Sequence, residues 1–178
     1  MDTEYHFVSV WRVAGTVSEV TEILKEPEDL PRWWLSVYLA VKTIKPNDDD
    51  GTGGVAELYT KGWLPYTLRW SLTVTEPVND SGFAISANGD FVGTGRWTFE
   101  QDGPEVVVTY DWRISAEKTL LRRLTWLLRP IFSANHHWAM AKGEESIKLE
   151  LRRRGAKPED RAKIPLPPGP TFRWLLRT

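Results

Sequence analysis

IFSANHHWAMAKGEESIKLELRRR, residues Ile131 to Arg154, is the longest stretch of this chain that reads as one helix. At about 100° per residue, Phe132, His136, Ala139, Met140, Gly143, Ile147 and Leu151 share one face. His137, Ala141, Glu144 and Lys148 fall on the opposite, solvated face. The neighbouring histidines therefore have different fates, His136 pointing inward and His137 outward. Gly143 lies within the inner stripe, where a glycine costs roughly 1 kcal/mol against alanine, so it marks the close approach of another element. The helical pattern begins upstream near Thr119 and runs through Leu120, Leu124, Leu127 and Leu128. Pro130 has no N–H to donate and predicts a kink or break there.

What precedes this helix reads mostly as strands. Tyr5 to Val13 alternates, with Tyr5, Phe7, Ser9, Trp11 and Val13 on one side. Thr16-Val-Ser-Glu19 is a capping box for a short helix carrying Val17, Val20, Ile23 and Leu24, which Pro27 ends. A second helical turn spans Glu28 to Leu35. Strands follow at Val37–Ile44, Val55–Lys61, Tyr66–Thr75, Phe83–Asp90, Phe91–Glu100 and Glu105–Ser115, with a loop expected over Glu76–Gly82. Glycines 89, 93 and 95 suggest bulges or sharp curvature. Antiparallel strands with one solvated face must bury the other, and the C-terminal helix is the large amphipathic element available. The fold class is therefore α+β, a curved antiparallel sheet wrapped around a long C-terminal helix. This domain spans residues 1–154. Residues 155–178 form a proline-rich tail, whose segment Pro165 to Pro170 should be extended because each proline fixes its φ. Phe172, Trp174, Leu175 and Leu176 at its end should pack on a groove of this domain or of a neighbouring copy in a homodimer.

Composition narrows the function. The charge is balanced, 23 basic against 24 acidic residues, which gives no argument for a nucleic-acid partner. The chain has no cysteine, hence no thiolate nucleophile and no zinc–sulfur site, in keeping with a reducing cytoplasm. MDTEYHF lacks the features of a signal peptide, and no apolar run approaches the ~20 residues of a transmembrane segment. No metal site is expected: His136 and His137 are adjacent and cannot aim at one ion from one helix, and Asp48 to Asp50 lack calcium-loop spacing. No cofactor is implied either. Ten tryptophans suit a rich core or an aromatic cavity wall equally.

Five stretches carry a resemblance: Pro31-Arg-Trp33-Trp34, Lys61-Gly-Trp63-Leu-Pro65-Tyr-Thr-Leu-Arg69-Trp70, Gly89-Asp90-Phe-Val-Gly93-Thr-Gly-Arg96-Trp97, Tyr110-Asp111-Trp112, and Asn135-His136-His-Trp138 with Gly143-Glu144-Glu145. They resemble the polyketide cyclase/dehydrase-like branch of the START-like (SRPBCC) superfamily, over roughly residues 3 to 154. The resemblance implies a helix-grip fold and a cavity between sheet and long helix for an apolar or polycyclic molecule. Some members cyclise or aromatise polyketides, but no shared catalytic triad carries over residue by residue.

The expected ligand is thus an apolar, ring-containing small molecule, polyketide- or lipid-like. Its wall would be Trp11, Tyr66, Trp70, Trp97, Tyr110 and Trp112 from the sheet, with Phe132, Asn135, His136, Met140 and Gly143 from the helix. If the chain is instead a cyclase, aromatase or dehydratase, His136 is the candidate for proton transfer, and Asp90, at a glycine-flanked turn, could meet ligand at the cavity mouth. A third reading is an interaction module docking through its apolar tail. Arg69, Arg96, Asp111 and Arg113 alternate with the tryptophans and should form a charged outer face.

Overall fold

The structure, a computed structural model, describes residues 4–116 and 119–172, side chains included except over 116–129. The chain begins with strand β1 (Glu4–Ala14), then helix α1 (Val17–Leu24), a single turn at Pro27–Asp29 and helix α2 (Leu30–Trp33). Strands β2 (Tyr38–Lys45), β3 (Val55–Lys61), β4 (Thr67–Asn79), β5 (Gly82–Gly89), β6 (Phe91–Asp102) and β7 (Glu105–Ala116) follow. Helix α3 (Thr119–Gly155) and the short α4 (Pro158–Arg161) complete the described elements. The strands form one antiparallel sheet in the order β1-β7-β6-β5-β4-β3-β2. Hairpins make every neighbour except β1, which returns to pair with β7.

Local chemistry explains the element boundaries. Thr16 and Glu19 close the capping box reciprocally: the Glu19 N–H donates to Thr16 Oγ1, and the Thr16 N–H donates to the Glu19 carboxylate at 2.8 Å. Two elements differ from the sequence expectation. Strand β4 continues through Glu76 and Pro77 to Asn79, where a loop was expected. Register shifts between Val74 and Glu76 and between Glu76 and Asn79 absorb the proline, which cannot donate to a ladder. Helix α3 likewise runs on through Pro130 without a break. The glycines of β5 and β6 do not produce bulges either: the register between β5 and β6, and between β6 and β7, is unbroken.

Alternation sorts the sheet into two faces. The inner one is apolar and buried, with Val106, Val108, Tyr110, Trp112 and Ile114 on β7 matched by Trp97 and Phe99 on β6. The outer one carries the expected charges. Arg96 pairs with Glu76, Arg113 with Asp111, and Arg69 lies over the Tyr59 ring. Such exposed pairs contribute at most about 1 kcal/mol each. Helix α3 packs its inner stripe against β1, α1 and α2, burying Met140, Gly143 and Ile147. Gly143 marks a close approach, as its position in the stripe implied: a Cβ there would lie 2.6 Å from Trp34 Cε2 and 2.7 Å from Trp11 Cζ2.

A buried ion network fixes the far end of α3. Glu150 is 2 % exposed. Arg32 Nη1 donates to both of its oxygens at 3.0 Å, and Arg154 Nε donates at 2.8 Å. This clamp joins α2 to α3 with charge-assisted bonds. Beyond α4 the described chain forms no further helix or strand. Arg153 Nη2 donates to the Pro165 carbonyl at 2.8 Å, and Thr171 reaches the corner between β3 and β4. The segment thus runs back along the molecule rather than away from it. Phe172 is 41 % exposed, and the rest of the apolar group, Trp174, Leu175 and Leu176, lies outside the described residues. Among the described residues no helix is long and apolar enough to cross a membrane.

Candidate functional site

Sheet and helix do not close-pack everywhere. A cavity of about 120 Å³ lies between the inner face of the sheet and the first half of the α3 stripe. Phe132, Asn135, His136, Ala139 and Met140 form its helical side. Tyr5, Phe7, Tyr66, Trp70, Phe91, Tyr110 and Trp112 form its aromatic side, and Trp34, Tyr38, Lys61 and Gly62 are also in its lining. A second cavity, of about 290 Å³, lies between the connection from α1 to α2 and the β2–β3 hairpin. Trp34, Tyr38, Trp70 and Tyr110 line both, so these four rings are the partition between them.

The wall is an aromatic lattice. Tyr110 stacks on Trp97 with centroids 4.1 Å apart and on Trp112 at 5.5 Å. Trp70 leans on Trp112 at 5.8 Å and contacts Phe91 edge-on at 6.0 Å. The Trp70 indole N–H donates to Thr60 Oγ1 at 3.1 Å, which fixes the ring and leaves its face to the cavity. Offset and edge-on pairs of this kind hold their rings in place by about 0.5–1.5 kcal/mol each beyond burial.

His136 sits at the helical side. Its ring stacks on Phe7 at 4.2 Å, and Nε2 lies 3.3 Å from Ser9 Oγ. Burial, with the neighbouring His137 second, drives its pKa down to about 4. At neutral pH it is therefore an uncharged imidazole of low basicity, able to accept or donate one hydrogen bond. His137 is exposed, and its Nδ1–H donates within its own helix to the Ser133 carbonyl at 2.7 Å.

The remaining polar groups around the cavity are mostly donors. Burial pushes the Tyr66 phenol up to about 12 and holds those of Tyr38 and Tyr110 well above their usual range, so all three stay protonated. Asn135 accepts the Leu64 N–H through Oδ1 at 3.4 Å. Its amide presses on the β3–β4 corner so closely that a Cβ on Gly62 would lie 2.5 Å from Asn135 Cγ. Lys61 is 3 % exposed, and burial lowers its pKa. Its ammonium donates to the Gly62 carbonyl at 2.9 Å, the Thr171 carbonyl at 3.0 Å and Thr171 Oγ1 at 2.5 Å.

The structure brings together Tyr66, Trp70, Tyr110, Trp112, Phe132, Asn135, His136 and Met140 of the sequence candidates around the first cavity. Four others lie elsewhere. Trp97 borders the second cavity alone. Trp11 and Gly143 line neither, because they fill one another's space in the core beside Trp34. Asp90 lines neither; its carboxylate accepts the Arg69 N–H at 2.9 Å across the hairpin end. Sequence reasoning missed Tyr5, Phe7, Trp34, Tyr38 and Lys61. Tyr5 and Phe7 share the strand face of Trp11 and were legible from that alternation. Lys61 ends a strand and gave no such sign, since it is the returning tail that covers it.

No family model matches the chain, and no curated protein sequence matches it. Solved structures do. The Zhui aromatase/cyclase from Streptomyces sp. R1128 superposes with a TM-score of 0.67 at 14 % identity, covering 86 % of this chain and 96 % of its own. A START superfamily protein from Mycobacterium smegmatis gives 0.60 at 15 % identity, covering 80 % of this chain and 98 % of its own. The di-domain ARO/CYC BexL from the BE-7585A biosynthetic pathway gives 0.57 at 13 % identity over 88 % of this chain and 52 % of that one. At these identities the likeness is one of architecture. With seven antiparallel strands curved around one long C-terminal helix, the chain has the START-like, helix-grip fold.

Proposed function

We propose that this chain binds an apolar, ring-containing small molecule, polyketide- or lipid-like, between the sheet and α3. The observation that carries this reading is an aromatic-walled void where a sheet and a helix of this kind would otherwise interdigitate. A void of about 120 Å³ is far above the one-water scale, and unfilled space forfeits packing attraction along its lining. Ligand sites run to about 300–1,000 Å³, so a ring system larger than one or two rings would need the second cavity as well. Rotation of Trp34 or Tyr38 in the partition would join the two. The likeness in fold to an aromatase/cyclase is consistent with a ligand of this class.

A second reading is turnover: cyclisation, aromatisation or dehydration of a polyketide-like chain. What favours it is that His136, Tyr66 and Lys61 border one cavity. A neutral His136 could relay a proton, while phenol and ammonium donors polarise carbonyl oxygens.

The test is a titration followed by tryptophan fluorescence with a neutral two-ring probe, 2-naphthalenemethanol, alongside native mass spectrometry of the purified protein. Saturable quenching that disappears when Ala139→Phe fills the cavity supports the binding reading. Absence of saturation, with Ala139→Phe behaving as the parent, refutes it. Release of water or a cyclised product from a poly-β-ketone probe, lost in His136→Phe, would decide for turnover.

A further inference from the structure

Among the described residues Lys61 is a cavity-lining cation without an ion-pair partner, its ammonium lying 5.6 Å from the centroid of the Phe172 ring. Among the described residues no carboxylate pairs with it, and burial is the sole influence on its pKa. Its ammonium spends its three protons on neutral oxygens: the Gly62 carbonyl and two oxygens of Thr171. An ammonium taken out of water without a counter-charge is costly, because neutral dipoles replace only part of its hydration. Dipoles sufficed here only because the tail supplies them. Thr171 belongs to the segment after α4, tied elsewhere by Arg153 to the Pro165 carbonyl and by its own hydroxyl to Gly62 and Trp63 carbonyls.

The arrangement of those oxygens is informative. Thr171 offers its carbonyl oxygen at 3.0 Å and its hydroxyl oxygen at 2.5 Å to one nitrogen. Two oxygens from one group, both on one ammonium, is how a carboxylate would approach it, except that Thr171 carries no charge. With Lys61, Gly62 and Asn135 line the same cavity, and Tyr66 adds a protonated phenol. These groups are donors, while the rest of the lining is dominated by rings, among them Trp34, Trp70 and Trp112.

From this geometry we infer that the ligand is an apolar ring compound bearing a carboxylate, which Lys61 takes as its counter-ion in place of Thr171. The inference rests on the cavity-binding reading above and adds the head group to it. It also assigns the tail a role: residues 165–172 hold the Lys61 site closed with neutral oxygens until an acid displaces them. An ionised partner makes a stronger bond to the ammonium than a neutral oxygen does. No covalent step is involved.

The experiment compares 2-naphthoate with 2-naphthalenemethanol, the same ring system with and without the charge, on the full chain. The parent should bind the acid tighter than the alcohol by about tenfold or more, the range of one charge-assisted bond over a neutral one. Lys61→Met should bring the two affinities together by weakening the acid far more than the alcohol. Thr171→Val, which removes one competing oxygen and keeps the side-chain shape, should tighten the acid a few-fold relative to the alcohol. It serves as the independent variant if Lys61→Met melts at working temperature. If the alcohol binds and the acid binds no better, or the Thr171→Val protein shows no gain for the acid, the head-group inference is overturned and the cavity reading stands. If neither probe binds the parent, both fall together.

Discussion

Lowering the pH from about 7.5 to about 5 should cost the fold about 2 kcal/mol through His136 alone. The pKa of this imidazole falls from its ordinary 6.5 to about 4, chiefly by burial against Phe7 and the cavity wall. In the unfolded chain the same group protonates near its ordinary value. Between these two values the unfolded state holds the extra proton, so stability rises with pH across that window. The contribution is intact above about pH 6.5, falls by up to about 1.4 kcal/mol per pH unit below it, and levels off near pH 4. For a chain of this length 2 kcal/mol corresponds to roughly 4–8 °C in Tm. The assay is denaturant unfolding across this range for the parent and for His136→Phe, which keeps a ring against Phe7 but cannot titrate. Carboxylates shared by both proteins cancel in the comparison, among them Asp111, which its bonds to Arg113 and His6 hold low against the opposing effect of burial. The parent should lose about 2 kcal/mol more than the variant. Equal slopes would mean that His136 titrates as if solvated, and that its placement at the cavity is wrong.

Other outcomes follow from the same geometry. Gly143→Ala should destabilise by about 1–3 kcal/mol despite a helix-propensity gain of about 1, because the Cβ meets the buried rings of Trp34 and Trp11 rather than flexible chain ends; an unchanged or raised Tm would contradict this. Glu150→Ala should cost about 2–3 kcal/mol, since it removes the acceptor of three charge-assisted bonds, and urea unfolding measures it; a loss under about 0.5 kcal/mol would show the clamp to be idle. Truncation after Gly155 should lower Tm by several degrees, as Lys61 loses both Thr171 oxygens; an unchanged melt would detach the tail from the fold.

Much of the architecture was legible because periodicity is a local property. The alternation of Tyr110, Trp112 and Ile114 fixes which face of β7 is buried, whatever it packs against. The helical phase likewise separated His136 from His137, and the glycine in the stripe announced a crowded contact without naming the partner. Where two local signals compete, the sequence is silent on the winner. Pro130 disfavours a helix, yet α3 continues through it, and Pro77 disfavours a strand, yet β4 accommodates it between register shifts. The site was legible as a list of ring-bearing positions, not as a wall. Trp11 and Trp70 look alike along the chain, and only the distance across the core decides that Trp11 fills space against Gly143 while Trp70 borders a void. Lys61 is the sharpest case. Its burial depends on Thr171, 110 positions away, so no window of sequence could mark it as anything but a surface lysine. Residue type and period dictate which side chains face inward; how much room they leave, and which charges the chain returns to cover, is settled only when distant segments meet.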